Sequence, residues 1–253
     1  MALGAICRRS TRCAMHEVPG AGIADFIDYW QHEGEAYARR GDYDWMALQV
    51  PAGSRVLEIG CGVGFGTAAL LGRGATVLAV DCLEACLEAT RLRTTSTLTA
   101  PDFLLADILT LSDAEHAVMK AFVPETVVCW LMGAPAGMIG ASRNDAGQAV
   151  AHYRESLHRQ VAEIAASLPS VRFLHYVDRT AIPWQGKDVG RDTLVRYHAG
   201  KTLLDLPFLA ERRRALYRKL EGNVVDLAEV RRSHPSLKSV VPTLASLLVE
   251  RKS

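Results

Sequence analysis

The chain has no surplus of either charge: 29 lysines and arginines stand against 28 aspartates and glutamates, a formal net charge of +1. Proteins that neutralise runs of phosphate carry a basic excess, so the balance argues against a nucleic-acid substrate. No apolar run reaches the length that spans a bilayer. The six cysteines suggest no disulfide framework. Cys61, Cys82, Cys86 and Cys129 fall in or near expected strands and helices, where a free thiol packs as a small hydrophobe. Cys82 and Cys86 are expected on one helical face, but no histidine or second cysteine pair stands near to complete a metal site. No metal is therefore expected, and a reducing, cytoplasmic location follows. Met1 to Ala14 lacks the apolar stretch of a secretory signal, and Arg8-Arg9 is not followed by the hydrophobic region of a twin-arginine leader. Residues 1–14 read as a disordered extension upstream of a start at Met15. Repeats and low-complexity linkers are absent too.

What is present fits one domain. With 49% apolar residues in 253, a single α/β core with decorations can be filled. The most informative stretch is Val56-Leu57-Glu58-Ile59-Gly60-Cys61-Gly62-Val63-Gly64-Phe65-Gly66-Thr67. An apolar strand-like run ends in a carboxylate, turns through crowded glycines and enters a helix-like segment, Thr67 to Leu71. Glycine admits positive φ and close approach of a ligand to the backbone, and the following helix points unpaired N–H groups at the turn. Such loops bind nucleotide-like ligands on the first βα turn of a doubly wound sheet. Glu58 would repel a pyrophosphate and hold a cation. The glycine spacing also misses GxGxxG, with Phe65 at the sixth position from Gly60, so an NAD-dependent oxidoreductase is the weaker reading. A second strand, Ala75 to Val80, ends at Asp81, 21 residues after Gly60, where a carboxylate can accept both hydroxyls of a ribose. A third, Phe103 to Ala106, ends at Asp107. Singly, Asp81 could be a helix cap and Asp107 a loop residue. Together with Glu58 they line one sheet edge and point to an adenosine that carries positive charge.

From about Tyr29 to Pro135 the chain resembles the S-adenosylmethionine-dependent methyltransferases of the class I, Rossmann-like type, and Glu58 to Gly64 matches that family's glycine motif. The resemblance implies a doubly wound, mostly parallel, seven-stranded-type sheet with helices on both faces, an extra N-terminal helix and a helical C-terminal part. It implies that Gly60, Cys61, Gly62 and Gly64 hold the methionyl end of the cofactor and that Asp81 binds the ribose. Leu83 would pack on the adenine and Asp107 face its amine, with Cys82, Ile108 and Cys129 as further neighbours. Tyr29-Trp30 and Ala36-Tyr37 are similar to the family's N-terminal helix, where a tyrosine, here Tyr37, reaches the methionyl carboxylate. The expected organisation is a helical cap over 15–50, a cofactor-binding core over 51–180 and a closing region over 181–253.

Elsewhere the pattern predicts a helix over Leu83 to Arg93, a capping-box helix from Ser112 to about Phe122, a strand over Thr126 to Leu131 and a long amphipathic helix over Asn144 to Leu168. That helix would set Val150, Tyr153, Leu157, Val161 and Ile164 on one side. Ser170 to Val177 reads as a fifth strand and Thr193 to His198 as a sixth. Glu211 to Glu221 reads as a basic helix, and the apolar Val240 to Val249 as a segment that closes the core or joins a second subunit in a homodimer.

At the end of the fourth strand stands Leu131-Met132-Gly133-Ala134-Pro135, not the Asn/Asp-Pro-Pro-aromatic tetrad of methyltransferases that act on amide or base nitrogens. A small-molecule acceptor is expected, with neither nucleic acid nor membrane as partner. Methyl transfer by in-line attack draws mainly on alignment, with a general base where the nucleophile carries a proton. His175 and Tyr176 are the candidates for that base, with His152 and His198 behind them. Strand alternation lets only one of the first two face a given side. Arg143, Arg154, Arg179 and Arg191 could hold an acidic group, and Trp184 could belong to a lid. The rival reading is a non-catalytic sensor or partner subunit that binds S-adenosylmethionine without turnover.

Overall fold

The computed structural model describes residues 23–133, 146–220 and 240–252. The extension at 1–14, the start at Met15, Ala134, Pro135, Arg143, the side chain of Val150 and the end of the expected basic helix at Glu221 lie outside them. An N-terminal pair of helices, α1 (Ile23–Arg39) and α2 (Asp42–Ala47), precedes a βα alternation. It runs β1 (Arg55–Ile59), α3 (Phe65–Gly72), β2 (Thr76–Asp81), α4 (Glu84–Arg93), β3 (Asp102–Leu105), α5 (Asp113–Phe122), β4 (Thr126–Trp130), α6 (Ala146–Ser167) and β5 (Phe173–Pro183). Then come α7 (Lys187–Gly200), β6 (Phe208–Lys219) and β7 (Val240–Arg251). The seven strands form one sheet in the order β3-β2-β1-β4-β5-β7-β6. The first five are parallel, and β7 enters antiparallel between β5 and β6.

Period-two alternation sends each strand's side chains to opposite faces. Leu57, Ile59, Val127 and Leu174 pack under α5, α6 and α7, while Val56, Val77, Val128 and Val177 pack under α1 to α4. Parallel strands buried on both faces read as continuous apolar runs, which is why they stand out in the sequence. The start of α5 is the expected capping box: the Glu115 N–H donates to Ser112 Oγ at 3.3 Å and the Ser112 N–H to Glu115 Oε2 at 2.7 Å. At the far end of α6, Arg251 Nε donates to the Val171 carbonyl at 2.6 Å and Nη2 to that of Leu168 at 3.0 Å. It thereby satisfies carbonyls that a helix leaves free.

Two expectations fail beyond residue 186, and the C-terminal part is not wholly helical. Thr193 to His198 belongs to α7, not to a strand. Its β-branched and aromatic residues suggest a strand, but Leu194 and Val195 join the core from a helical face and His198 is buried. The expected basic helix is instead strand β6, paired with β7 around a register shift between Ala210 and Ala215. Its charges belong to a sheet edge. Arg212 pairs with Asp192 at 2.9 Å, Arg213 with Glu211 at 2.7 Å, and Arg218 with the buried Asp42 at 2.7 Å. Charged side chains are how exposed edge strands avoid further pairing. Val240 to Val249 closes the core as β7. Cys82 also moves: it precedes α4, whose N-cap is Leu83, so it shares no helical face with Cys86.

Candidate active site

The carboxyl ends of β3, β2, β1 and β4 open into one cavity of about 330 Å³. Along that edge stand Asp107, Asp81 and Glu58, and then the segment Trp130 to Gly133. Gly60, Cys61, Gly62, Cys82, Leu83 and Ile108 also line the cavity. The turn from β1 to α3 needs its glycines: Gly60, Gly62 and Gly64 have φ of 77°, 53° and 85°, values that cost other L-residues roughly 1–2 kcal/mol. A Cβ on Gly64 would lie 2.7 Å from Thr90 Cα, so the turn also lets α4 come close.

Asp81 braces this turn. One carboxylate oxygen accepts the Gly62 N–H at 2.9 Å and the other the Leu83 N–H at 3.0 Å, and each keeps acceptor capacity for a ligand. Asp107 accepts the Leu109 N–H at 3.0 Å. Glu58 is buried, and its carboxylate accepts the Thr67 hydroxyl at 2.6 Å. Burial pushes its pKa up to about 8, opposed by the Thr67 hydrogen bond and raised further by Asp81. Asp81 is likewise raised by burial, with the backbone N–H bonds acting against it. Acidic groups held in this way gain most from a positive ligand.

The opposite wall is aromatic and comes from helices. Phe26 and Trp30, one turn apart on α1, face the cavity, as do Tyr43, Phe65, Tyr153 and Leu157, and Trp130 at the tip of β4 adds a further ring. Phe65 stacks on Tyr43 with ring centroids 5.6 Å apart, and the Arg93 guanidinium sits 3.5 Å over its ring. Gly34 of α1 packs on the same ring, where a Cβ would come within 2.3 Å. Arg93 also donates to Gln31 at 2.7 Å, and Arg179 to Glu33 at 2.8 Å and to the Tyr29 hydroxyl at 3.3 Å. These contacts hold α1 over the opening. At the tip of β4, Leu131 takes a left-handed φ of 55°, and Met132 reaches toward Gly60.

Several expected site residues stand elsewhere. Tyr37 is buried behind Tyr43 in T-shaped contact, away from the cavity, so its assignment to the methionyl carboxylate is dropped. Gly64 caps α3 without facing the cavity, and Cys129 is buried in β4 with its sulfur 3.9 Å from Met132 Sδ. The candidate bases His175 and Tyr176 are withdrawn. His175 is fully buried and accepts the Trp130 indole N–H at Nδ1, 3.0 Å away. An indole only donates, so the proton sits on Nε2, which donates to Ser246 Oγ at 2.7 Å. Burial lowers its pKa to about 3, leaving a neutral ring clamped on both sides. The Tyr176 hydroxyl donates to the His158 carbonyl at 2.8 Å within the core, on the other face of the sheet. His198 is buried beside Thr202 and His152 is exposed. Arg154 lies 3.7 Å from Asp178, and Arg191 lies 3.4 Å from Asp188. Trp184 sits between Lys187 and Lys219, outside the cavity lining.

The sequence reading missed Phe26, Tyr43, Phe65, Trp130 and Tyr153. Two signals were available: the four-residue spacing of Phe26 and Trp30, and the Tyr153 and Leu157 stripe, read there only as one side of an amphipathic helix. Among the described residues no cluster could hold a metal ion, and no helix is long and apolar enough to cross a membrane.

Residues 57–140 match the family model described as a methyltransferase domain. No curated protein matches the chain. Among solved structures, magnesium protoporphyrin IX methyltransferase from Synechocystis with bound SAM is similar at 16% identity and TM-score 0.48, covering 93% of this chain and 88% of that one. The N-methyltransferase NodS from Bradyrhizobium japonicum, in complex with S-adenosyl-L-homocysteine, is similar at 14% identity and TM-score 0.47, covering 85% and 87%. An rRNA methylase from Streptococcus thermophilus is similar at 15% identity and TM-score 0.39, covering 84% and 95%.

Proposed function

We propose that the chain, residues 57–140 of which match a methyltransferase domain, is an S-adenosylmethionine-dependent enzyme of the Rossmann-like class and transfers a methyl group to a small-molecule acceptor at the carboxyl edge of its sheet. The observation that carries this is the row of three carboxylates, Asp107, Asp81 and Glu58, at the tips of adjacent parallel strands in one cavity with Gly60 and Gly62. A pyrophosphate has no place beside Glu58, whereas a sulfonium does.

Asp81 would take the ribose hydroxyls with the acceptor capacity that Gly62 and Leu83 leave it. Leu83 and Ile108 would flank the adenine, with Asp107 facing its amine. The Gly60 to Gly62 backbone and Glu58 would hold the methionyl end. Bound there, S-adenosylmethionine supplies an electrophilic methyl on a positively charged sulfur. The protein's task is then to place the acceptor in line with that methyl, and alignment of this kind is worth on the order of 7–11 kcal/mol. The helical wall excludes water and fixes the acceptor's approach. A cytoplasmic location fits the free cysteines Cys61, Cys82, Cys86 and Cys129. A cap over 15–50, a core over 51–180 and a closing region over 181–253 remain the organisation we favour.

Calorimetry with S-adenosylmethionine, S-adenosylhomocysteine and NAD tests the reading. Both sulfur compounds bind and NAD does not. Asp81→Asn weakens both by about 10- to 100-fold, the worth of one to two hydrogen bonds to a charged group. Release of S-adenosylhomocysteine with pooled metabolites separates an enzyme from a sensor. Binding of NAD alone would overturn the proposal.

A further inference from the structure

We infer that the acceptor is an uncharged, ring-bearing apolar molecule that attacks through a neutral lone pair, as in a pyridine-type nitrogen or a thioether. The inference rests on the methyl-transfer reading of the same cavity and adds the acceptor's charge and shape.

The edge of the sheet divides the cavity. Asp107, Asp81 and Glu58 occupy the ends of β3, β2 and β1, so an adenosine laid along them leaves the end of β4 for the second reactant. That end is walled by Trp30 of α1, Leu131 and Met132 after β4, and Tyr153 and Leu157 of α6. These are flat or soft apolar surfaces suited to a ring. Among the described lining residues the charged side chains are all carboxylates. Arg154, whose guanidinium lies 3.8 Å from where Gly133 would carry a Cβ, faces Asp178 at 3.7 Å.

Charge bookkeeping during transfer points the same way. The acceptor's lone pair forms a bond to the methyl carbon while the sulfur–methyl bond breaks, and that electron pair stays on sulfur. Sulfur becomes neutral and the acceptor takes the positive charge. With a neutral nucleophile the charge moves but does not vanish, so the aromatic faces and Glu58 that favour the sulfonium favour the product cation as well. An anionic nucleophile would be repelled by the same carboxylates before it arrived, and its product would leave them without a cation. A neutral lone pair needs no base, which agrees with His175 and Tyr176 being held away from the cavity.

The test follows methyl transfer from labelled S-adenosylmethionine to 4-phenylpyridine and thioanisole, against 4-hydroxybenzoate and bulk tRNA, with cofactor binding measured separately by calorimetry. At least one neutral probe is methylated with a kcat/KM tenfold or more above the anionic probe and the tRNA. Trp30→Ala and Tyr153→Ala raise its KM at least fivefold while affinity for S-adenosylhomocysteine stays within threefold. Faster methylation of 4-hydroxybenzoate or tRNA overturns the inference. So does cofactor binding without methylation of any neutral probe, and in that case the cofactor reading stands. Failure to bind S-adenosylmethionine removes the underlying reading and the inference together.

Discussion

The two walls of the cavity are built differently. The strand-tip wall is backbone and carboxylate: its glycines are fixed by φ, Glu58 is buried, and Asp81 is braced by two N–H groups. The helical wall is side chain on helix, with α1 held by guanidinium contacts, of which the Arg179–Glu33 pair is 40% and 25% exposed. Changing one residue of the first wall disturbs backbone geometry and charge together. Changing one of the second alters a surface and leaves the chain's path intact. A site so divided keeps one ligand constant while the other can differ.

Three substitutions sharpen the contrast. Gly64→Ala has the largest effect, because it combines a left-handed φ with a Cβ 2.7 Å from the Thr90 backbone. A loss of about 3 kcal/mol in chemical denaturation is expected, from the left-handed term and overpacking; an unchanged midpoint would show that the turn relaxes. Next comes Glu58. Its folded pKa of about 8 exceeds the usual 4.5, so between those values the folded chain keeps a proton that the unfolded chain has lost. The empty protein therefore loses stability as pH rises through that window, by up to ~1.4 kcal/mol per unit from this group. Glu58→Gln removes that part of the slope. Binding of the cationic S-adenosylmethionine near pH 7 should release a proton, and binding of neutral S-adenosylhomocysteine should not. Calorimetry in two buffers of different ionisation enthalpy reads the difference. Arg179→Ala is the mildest: it frees Glu33 and Tyr29, costs under about 1 kcal/mol, and weakens acceptor binding severalfold at low salt but little at high salt.

The same division governs what could be read in advance. Glu58, Asp81, Asp107 and the glycines were legible because a turn of fixed φ and a carboxylate at a strand tip leave local signatures. The long helix and the capping box at Ser112 were legible for the same reason. Trp130 and Tyr153 were visible as residues but not as lining, since which face of β4 or α6 meets the cavity depends on partners distant in sequence. The β6–β7 hairpin stayed hidden because Arg212, Arg213 and Arg214 look like a solvated helix until Asp192, Glu211 and Glu250 are brought alongside. His175 was misassigned because its imidazole type was weighed without the two neighbours that occupy its nitrogens.

That imidazole carries a consequence for how the cavity keeps its shape. Ser246 lies on β7, the last of the described strands in sequence, yet β7 slots between β5 and β6 and completes the relay that runs through His175 to the Trp130 indole. The setting of the Trp130 ring at the cavity therefore depends on a hydroxyl from β7, distant from it in sequence. A change at Ser246 would thus reach the cavity wall through two hydrogen bonds without touching the cavity itself.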